Sequence, residues 1–257
     1  NVVQRYTDEE DAMITSGLGL IAGMEMKGAI AFRDFKATFS ATNFFRGYYN
    51  SKEGDIYGMS EFTLRGDVSR VAARFTNYHY ICCNPAFGLS KEALLEDEVY
   101  LEVPNSHSAI FCQVYNFPSP MSNREAIVNI VWKVSIVCVL CKNLSSLVAN
   151  SYPQKRLSDK SIIVVFHPLT SHPKVENKDG DSVIRCAAQF VYHMTQLDDE
   201  TVEVKQGAHI NFGGNLPKAI VTGVIIPNFG RVVSHAQAYF GYSILDLTKA
   251  DGKLLGE

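Results

Sequence analysis

Residues 202–212 alternate between apolar and polar side chains and lead into residues 213–218, which read GGNLPK and precede a long apolar tail. Apolar side chains at every second position predict a β-strand with one buried face, because neighbouring side chains of a strand point to opposite sides. Pro217 suits the first turn of a helix, where its missing N–H would have no partner in any case. A strand that leads directly into such a helix predicts a sheet packed around a helix, with an interior between them.

Two earlier segments have the same period of two. Every even position from 126 to 140 is apolar, while Lys133 stands among the odd positions. The even positions from 184 to 194 are apolar as well. In residues 202–212, Gln206 is the one polar residue on the apolar side. The three segments therefore predict long strands that turn one apolar face inward.

Turns and an N-terminal helix surround these strands. The polar segments 176–181 and 196–200 are typical of turns between antiparallel strands. Thr7 and Glu10 form a capping-box pattern at the start of an apolar-periodic stretch, which predicts a first helix over residues 8–27.

The apolar tail predicts the helix that covers the sheet. Its apolar residues recur every three or four positions, at Phe229, Val232, Val233, Ala236, Phe240, Ile244 and Leu247. Pro227 is expected to kink or break this helix. The predicted fold class is α+β: a curved antiparallel β-sheet wrapped around a long C-terminal helix, with an N-terminal helix and short helices between strands.

Composition restricts the class of protein. The chain has 257 residues, of which 46% are hydrophobic, and this fits one large domain. A net charge of -3 with dispersed Lys and Arg argues against a nucleic-acid partner. The longest apolar run, residues 126–141, is interrupted by polar residues and is too short to span a bilayer. Six cysteines without dense spacing favour a cytoplasmic location, and the missing initial Met predicts that the chain is part of a larger polypeptide.

The sequence carries no motif for catalysis or metal binding. Cys138 and Cys141 stand three residues apart on a predicted strand, so their side chains face opposite ways. Gly17, Gly19 and Gly23 lack the spacing of a dinucleotide-binding loop. We therefore predict no enzyme activity, no cofactor and no metal site.

Several short stretches stand in an order that is typical of one protein family. They are residues 8–10 before the first helix, 57–64 with 67–72, 123–128, 162–165, the Ser-His-Pro loop 171–173, 183–186, and GGNLPK at 213–218. In this order they resemble a START domain (steroidogenic-acute-regulatory-related lipid transfer domain), and the similarity covers about residues 6–248. Asn211 stands where many members have Asp, and Ile130 falls near the position of a buried Arg in the sterol-binding members.

The resemblance implies a helix-grip fold, in which a U-shaped antiparallel sheet and a long C-terminal helix enclose a lipid-sized cavity. Residues 1–248 would form this domain, and residues 249–257 would be a tail or linker. The parity of the predicted strands then places the cavity-lining residues. They are Val128, Ile130, Trp132, Val134, Cys186, Ala188, Phe190, Tyr192 and Ile210.

The resemblance also implies an entrance gate, because in this family a loop and the last helix form a lid over the cavity mouth. The corresponding loop is residues 167–181, which carries apolar residues on an otherwise polar connection. The predicted gate residues are His172, Pro173 and Val175 on the loop and Val232, Ala236 and Phe240 on the helix.

Two function classes follow from these patterns. The first is binding of one hydrophobic lipid ligand, with intermembrane transfer or sensing and transient contact with a membrane surface. The second is a ligand-free interaction or regulatory module of a larger protein, in which the interior is packed core. Related helix-grip folds also include cyclases and hydrolases, but that link is an analogy of fold alone.

Overall fold

The structure of the protein is a computed structural model. It describes residues 5–27, 33–34, 44–50, 53–83, 98–115, 121–137, 159–175, 183–214 and 216–221, together with Val233, Ala236, Tyr239 and Phe240. Among the helices in these ranges, none combines the length and the apolar content needed to cross a bilayer.

The described chain forms ten strands and three helical segments. In chain order they are α1 (Asp8–Lys27), β1 (Arg33–Asp34), β2 (Phe44–Asn50), β3 (Asp55–Arg65), α2 (Val68–Cys83), β4 (Glu98–Asn105), β5 (Ser108–Tyr115), β6 (Asn123–Val137), β7 (Asp159–Leu169), β8 (Val183–Arg185), β9 (Ala187–Gln196), β10 (Thr201–Asn211) and α3 (Lys218–Ile220). Val233, Ala236, Tyr239 and Phe240 are helical as well.

The strands form one open sheet in the order β1-β2-β3-β10-β9-β7-β6-β5-β4. Neighbours along this path are antiparallel, while β8 lies off the path and pairs parallel with β6. β3 pairs with β10 over its whole length, from Asp55 opposite Asn211 to Arg65 opposite Thr201. Two strands that are far apart in the sequence are therefore neighbours in the sheet.

The N-terminal helix begins with the predicted capping box. The Glu10 N–H donates to Thr7 Oγ1 at 3.2 Å, and the Thr7 N–H donates to Glu10 Oε2 at 2.8 Å. Both bonds satisfy donors that the first turn of a helix leaves without partners. The predicted helix over residues 8–27 is confirmed.

α1 packs on one side of the sheet, which we call the outer face. The outer cluster consists of Met13, Ile14 and Ile21 from α1 with Val131, Ile163, Val165 and Val191 from β6, β7 and β9. Gly17 allows this contact, because a Cβ atom there would lie 2.7 Å from Cγ2 of Val165. The helix backbone therefore approaches the sheet as closely as it does only because residue 17 has no side chain.

The opposite side of the sheet, the inner face, is covered by α2 and by C-terminal residues. The inner cluster consists of Ile56, Phe62, Leu64, Val68, Val71, Ala72, Phe75, Phe111, Ala126, Val128, Ile130, Ile162, Val164, Phe166, Cys186, Ala188, Phe190, Tyr192, Met194, Val202, Val204, Ala208, Ile210, Phe212, Val221, Val233, Ala236 and Phe240. Their parity predicted that the even-numbered residues of β6, β9 and β10 face inward, and these residues lie in the inner cluster. On β6 this holds from residue 126 to residue 130. On β9 and β10 it holds along the whole strand except at Gln196 and Gln206.

One sequence prediction differs from the structure in detail. Residues 184–194 do not form one strand: β8 ends at Arg185 and β9 begins at Ala187. The break arises because the chain at this point pairs with the start of β6, where the Cys186 N–H donates to the Glu125 carbonyl oxygen at 2.8 Å. The predicted kink at Pro227 and residues 138–140 of the first predicted strand lie outside the described residues.

Candidate functional site

The side chains of the inner face stand in rows that cross the sheet. In one row, Ser60 on β3 lies opposite Gln206 on β10, and Gln206 lies opposite Tyr192 on β9. The row continues through Val164 on β7 to Trp132 on β6. Because directly opposed residues project to the same side of a sheet, these five side chains share the inner face.

Aromatic rings form the central wall of this face. The ring of Phe166 makes edge-on contacts with Phe111, Phe190 and Tyr192, at centroid distances of 6.5, 6.4 and 6.0 Å. Phe75 of α2 contacts Tyr192 at 4.6 Å, so the covering helix is held against the same wall. Edge-on packing of this kind is the favoured geometry for aromatic pairs and gives the wall a defined shape.

A polar pair interrupts the apolar face. Ser60 Oγ donates to Gln206 Oε1 at 2.9 Å, and the two residues are only 1% and 2% exposed. Gln206 Nε2 is buried and has no hydrogen-bond partner among the described residues. The sequence pattern indicated Gln206 as an exception but gave no sign of Ser60, which only the pairing of β3 with β10 brings to it.

Most of the predicted cavity-lining residues come together on the inner face. Seven of them belong to the inner cluster, namely Val128, Ile130, Cys186, Ala188, Phe190, Tyr192 and Ile210. Trp132 is partly buried and packs against the cluster. Whether these residues enclose a ligand stays a prediction.

Val134 is the exception among the predicted lining residues, since its side chain is 41% exposed. β5 accompanies β6 only as far as the pair Ser108–Val131. Beyond that point β6 has β7 as its one strand neighbour in the described part of the sheet, and Val134 lies outside the covered region.

The loop side of the predicted gate packs against the outer face. Val175 contacts the small cluster of Leu101, Cys112 and Ile127, and His172 Nε2 lies 3.5 Å from a carboxylate oxygen of Glu102. His172 Nδ1 accepts the Lys174 N–H at 3.2 Å. Pro173 is exposed.

The helix side of the predicted gate is partly described. Ala236 and Phe240 are buried in the inner cluster, whereas Val232 lies outside the described residues. Phe240 contacts the ring of Tyr239 at 5.0 Å, and the guanidinium of Arg74 lies 3.7 Å from the centre of that ring. A meeting of the loop with this segment stays a prediction.

A buried arginine holds the turn that leads into the C-terminal segment. Arg124 Nε donates to the Phe212 carbonyl oxygen at 3.1 Å, and Nη2 donates to the Gly213 carbonyl oxygen at 3.5 Å. Gly213 has φ 66°, and a Cβ atom there would lie 2.9 Å from Cγ2 of Ile184. The GG pair of the GGNLPK motif thus supplies the left-handed backbone that lets β10 turn towards the cover.

Burial dominates the protonation behaviour around this turn. Burial lowers the pKa of Arg124, and its guanidinium is committed to backbone carbonyl groups. Burial also raises the pKa of the Cys186 thiol to about 12, so this thiol is neutral and unreactive at ordinary pH. The described residues contain no group of three His, Cys, Asp or Glu side chains that could hold a metal ion.

Comparison with known proteins finds similarity at the level of structure. No protein-family model matches the sequence, and no curated protein matches it. The human StarD13 (DLC2) lipid transfer and protein localization domain matches with a TM-score of 0.55 and 13% identity, over 86% of this chain and 96% of that one.

Two further solved structures extend this similarity. Human StAR-related lipid transfer protein 5 matches with a TM-score of 0.57 and 10% identity, over 90% of this chain and 97% of that one. The STAR-related lipid transfer protein of Xanthomonas axonopodis matches with a TM-score of 0.55 and 12% identity, over 82% of this chain and 99% of that one. The chain therefore has the helix-grip fold of the StAR-related lipid transfer (START) domains.

Proposed function

We propose that the chain binds one hydrophobic lipid molecule between the inner face of its sheet and the segments that cover it. The observation that carries this proposal is the inner face itself. It extends over six strands from β3 to β5, and in the described part of the chain its cover is α2 together with C-terminal residues such as Phe240, not a second sheet. A helical cover can open by small translations and rotations of its helices.

The similar solved structures support a lipid as the class of ligand, because their names describe lipid transfer proteins. Transfer requires that the ligand leave, and the cover is the part that must move. We propose that the gate consists of His172, Pro173 and Val175 on the loop with Val232, Ala236 and Phe240 on the C-terminal segment. The exposed Pro173 would be the part of the loop that touches a membrane surface.

Native mass spectrometry of the purified protein tests the proposal. We expect a second set of peaks, heavier by the mass of one lipid, which disappears under denaturing conditions. Incubation with phosphatidylcholine vesicles that contain sterols, sphingolipids and fatty acids should load protein that purifies empty. A lipid at a free concentration one hundred times its dissociation constant should stabilise the fold by ~2.7 kcal/mol.

The same experiment distinguishes the ligand-free alternative. A protein that carries no lipid after purification, takes up none from the vesicles and shows an unchanged melting temperature would be an interaction or regulatory module. Loading with more than one lipid per chain would contradict the single-ligand proposal.

A further inference from the structure

We propose that the Ser60–Gln206 pair is the attachment point for the polar group of the ligand, and that this group is an uncharged hydroxyl. This inference rests on the proposed lipid-binding function. It names the position at which the ligand is oriented and the chemistry that orients it.

The position of the pair excludes a role at the protein surface. Ser60 and Gln206 are 1% and 2% exposed, and they stand opposite one another on the neighbouring strands β3 and β10 of the inner face. Along β10, Gln206 has the buried residues Val204 and Ala208 as its neighbours on that face. An amide in such surroundings lowers stability unless its donors and acceptors are satisfied.

The hydrogen bonds of the pair leave part of the amide unsatisfied. Ser60 Oγ uses its proton to reach Gln206 Oε1 at 2.9 Å, which leaves Nε2 with two N–H groups and no partner among the described residues. A packed core without ligand would place an apolar residue at position 206, as at 204 and 208. The retained amide is explained by a ligand oxygen that accepts from Nε2.

The row beside the pair begins with two small residues. Gly58 on β3 lies opposite Ala208 on β10, in the row of the inner face next to Gln206. Neither residue has a side chain larger than a methyl group, and this is the side from which we propose that the ligand reaches the amide. On β9 both rows continue with aromatic residues, Phe190 opposite Ala208 and Tyr192 opposite Gln206.

Charge considerations favour an uncharged polar group. The buried residues next to Gln206, which are Val204, Ala208, Ser60 and Tyr192, are uncharged, so a phosphate placed beside Gln206 would have no cation among these neighbours. Arg74 of α2 lies over the ring of Tyr239 at 3.7 Å. Arg124 lies at the start of β6, and its guanidinium donates to the carbonyl oxygens of Phe212 and Gly213. A hydroxyl also fits either orientation of the Gln206 amide, because it can both accept and donate.

Lipid uptake from vesicles tests this inference with matched probes. Phosphatidylcholine vesicles carry trace radiolabelled 1,2-dioleoylglycerol, its 3-acetyl ester or the corresponding phosphatidate, and a second series carries cholesterol or 5α-cholestane. In both series we expect the wild-type protein to retain the hydroxyl lipid about ten-fold more than the partner that lacks the hydroxyl, as the loss of one buried hydrogen bond predicts.

Variants of the pair should remove this preference without unfolding the protein. Gln206→Leu should retain the hydroxyl and non-hydroxyl lipids equally. Ser60→Ala/Gln206→Met removes both partners together, so its melting temperature should be unchanged or higher while the hydroxyl preference is lost. Gln189→Leu is the matched control, since Gln189 bonds to Ser16 Oγ at 3.1 Å on the outer side of β9, and its preference should equal that of the wild type.

The outcomes separate this inference from the proposed function. If the wild-type protein retains none of the probes and no phosphatidylcholine, lipid binding itself is wrong. If it retains lipid but shows no hydroxyl preference in either series, or a preference that Gln206→Leu leaves unchanged, the attachment point is wrong while lipid binding stands. A preference for phosphatidate or phosphatidylcholine over every hydroxyl lipid would likewise overturn it.

Discussion

The carboxylate of Glu10 lies 3.3 Å from Nε2 of His107, and both side chains are buried. The amide of Asn105 donates to the other carboxylate oxygen of Glu10 at 2.8 Å. Since Asn105 is the last residue of β4 and His107 precedes β5, these contacts join the first turn of α1 to the far edge of the sheet. Asn105 also positions His107 by accepting its backbone N–H at 2.9 Å.

This junction should make stability depend on pH. Burial disfavours the charge of Glu10, but hydrogen bonds from Thr7, Asn105 and His107 outweigh it and lower the pKa of this carboxyl below its ordinary value of 4.5. A carboxyl with a lowered pKa stabilises the folded state above its unfolded pKa and loses that contribution as pH falls through the folded value. Glu10→Gln should therefore cost about 1–3 kcal/mol at pH 7.

Urea unfolding of the wild type and Glu10→Gln over a pH series provides the measurement. The difference between them should be constant near neutrality and close as the pH falls below 4.5. Glu9→Gln, a change at an exposed position of the same helical turn, serves as control and should have little effect. A difference in the free energy of unfolding that persists unchanged to low pH would show that Glu10 contributes to stability through its shape and not through its charge.

The close contact of α1 with the sheet predicts opposite effects for two glycines in the same helix. Gly17→Ala should destabilise the protein by about 1–3 kcal/mol, because the added methyl would overlap the buried side chain of Val165. At Gly19 a Cβ atom would meet nothing within 4 Å, so Gly19→Ala should stabilise the helix by about 0.5–1 kcal/mol. Chemical denaturation of both variants would measure this, and losses of equal size would mean that α1 does not lie as closely on β7.

The turn after β10 should tolerate substitution poorly. Gly213→Ala places a Cβ atom 3.0 Å from the Arg185 carbonyl oxygen at a backbone angle that favours glycine, and should cost about 2–4 kcal/mol. Gly54→Ala is the control, since Gly54 has a similar φ of 73° and open space around it. This substitution should lower the free energy of unfolding by about 1–2 kcal/mol. Equal losses in urea unfolding would show that only the backbone angle matters at Gly213.

The proposed gate predicts a change in transfer rate without a change in binding. Pro173→Asp should slow lipid exchange between phosphatidylcholine vesicles several-fold, because an exposed apolar contact with the membrane is replaced by a charge. The amount of lipid bound at equilibrium should stay the same, since gating rate and affinity are separate quantities. Leu18→Asp, a charge on the 43% exposed Leu18 of α1, is the control and should exchange lipid at the wild-type rate.

A fall in equilibrium binding for Pro173→Asp would place this residue in the binding site instead of the gate. Equal exchange rates for Pro173→Asp and the wild type would mean that lipid enters elsewhere. Both results can be obtained from one set of vesicles, because uptake and exchange are read from the same labelled lipid.

The sequence was the best guide to strands that bury only one face. β10 covers residues 201–211, against 202–212 expected from alternation, and α1 has the expected bounds. β7 could not be recognised by parity, because Ile162, Val164 and Phe166 pack inward while Ile163 and Val165 pack under α1. A strand buried on both faces is a continuous apolar run, and this hides which residues face the interior.

The residues that the sequence missed depend on long-range pairing. Ser60 reaches Gln206 across 146 residues of chain, and Arg124 reaches the Phe212 carbonyl oxygen across 88. No local pattern encodes either contact, since each partner alone resembles an ordinary strand residue. Asn211, where the resembled family often has Asp, donates to Asp55 Oδ1 at 3.0 Å, so a carboxylate is present at this point on the adjacent strand.

The pairing of β3 with β10 also governs how the chain can be assembled. A ribosome produces β3 long before β10, since Ser60 and Gln206 stand 146 residues apart, and until β10 emerges one edge of β3 has no β10 to pair with. Formation of this ladder must await synthesis of all the strands between β3 and β10, which makes folding slow and exposes an apolar strand to other chains in the meantime. Truncation before residue 201 would therefore leave an aggregation-prone fragment in place of a smaller folded domain. A ligand held at the inner face could be bound only when β10 and the cover are in place, or later.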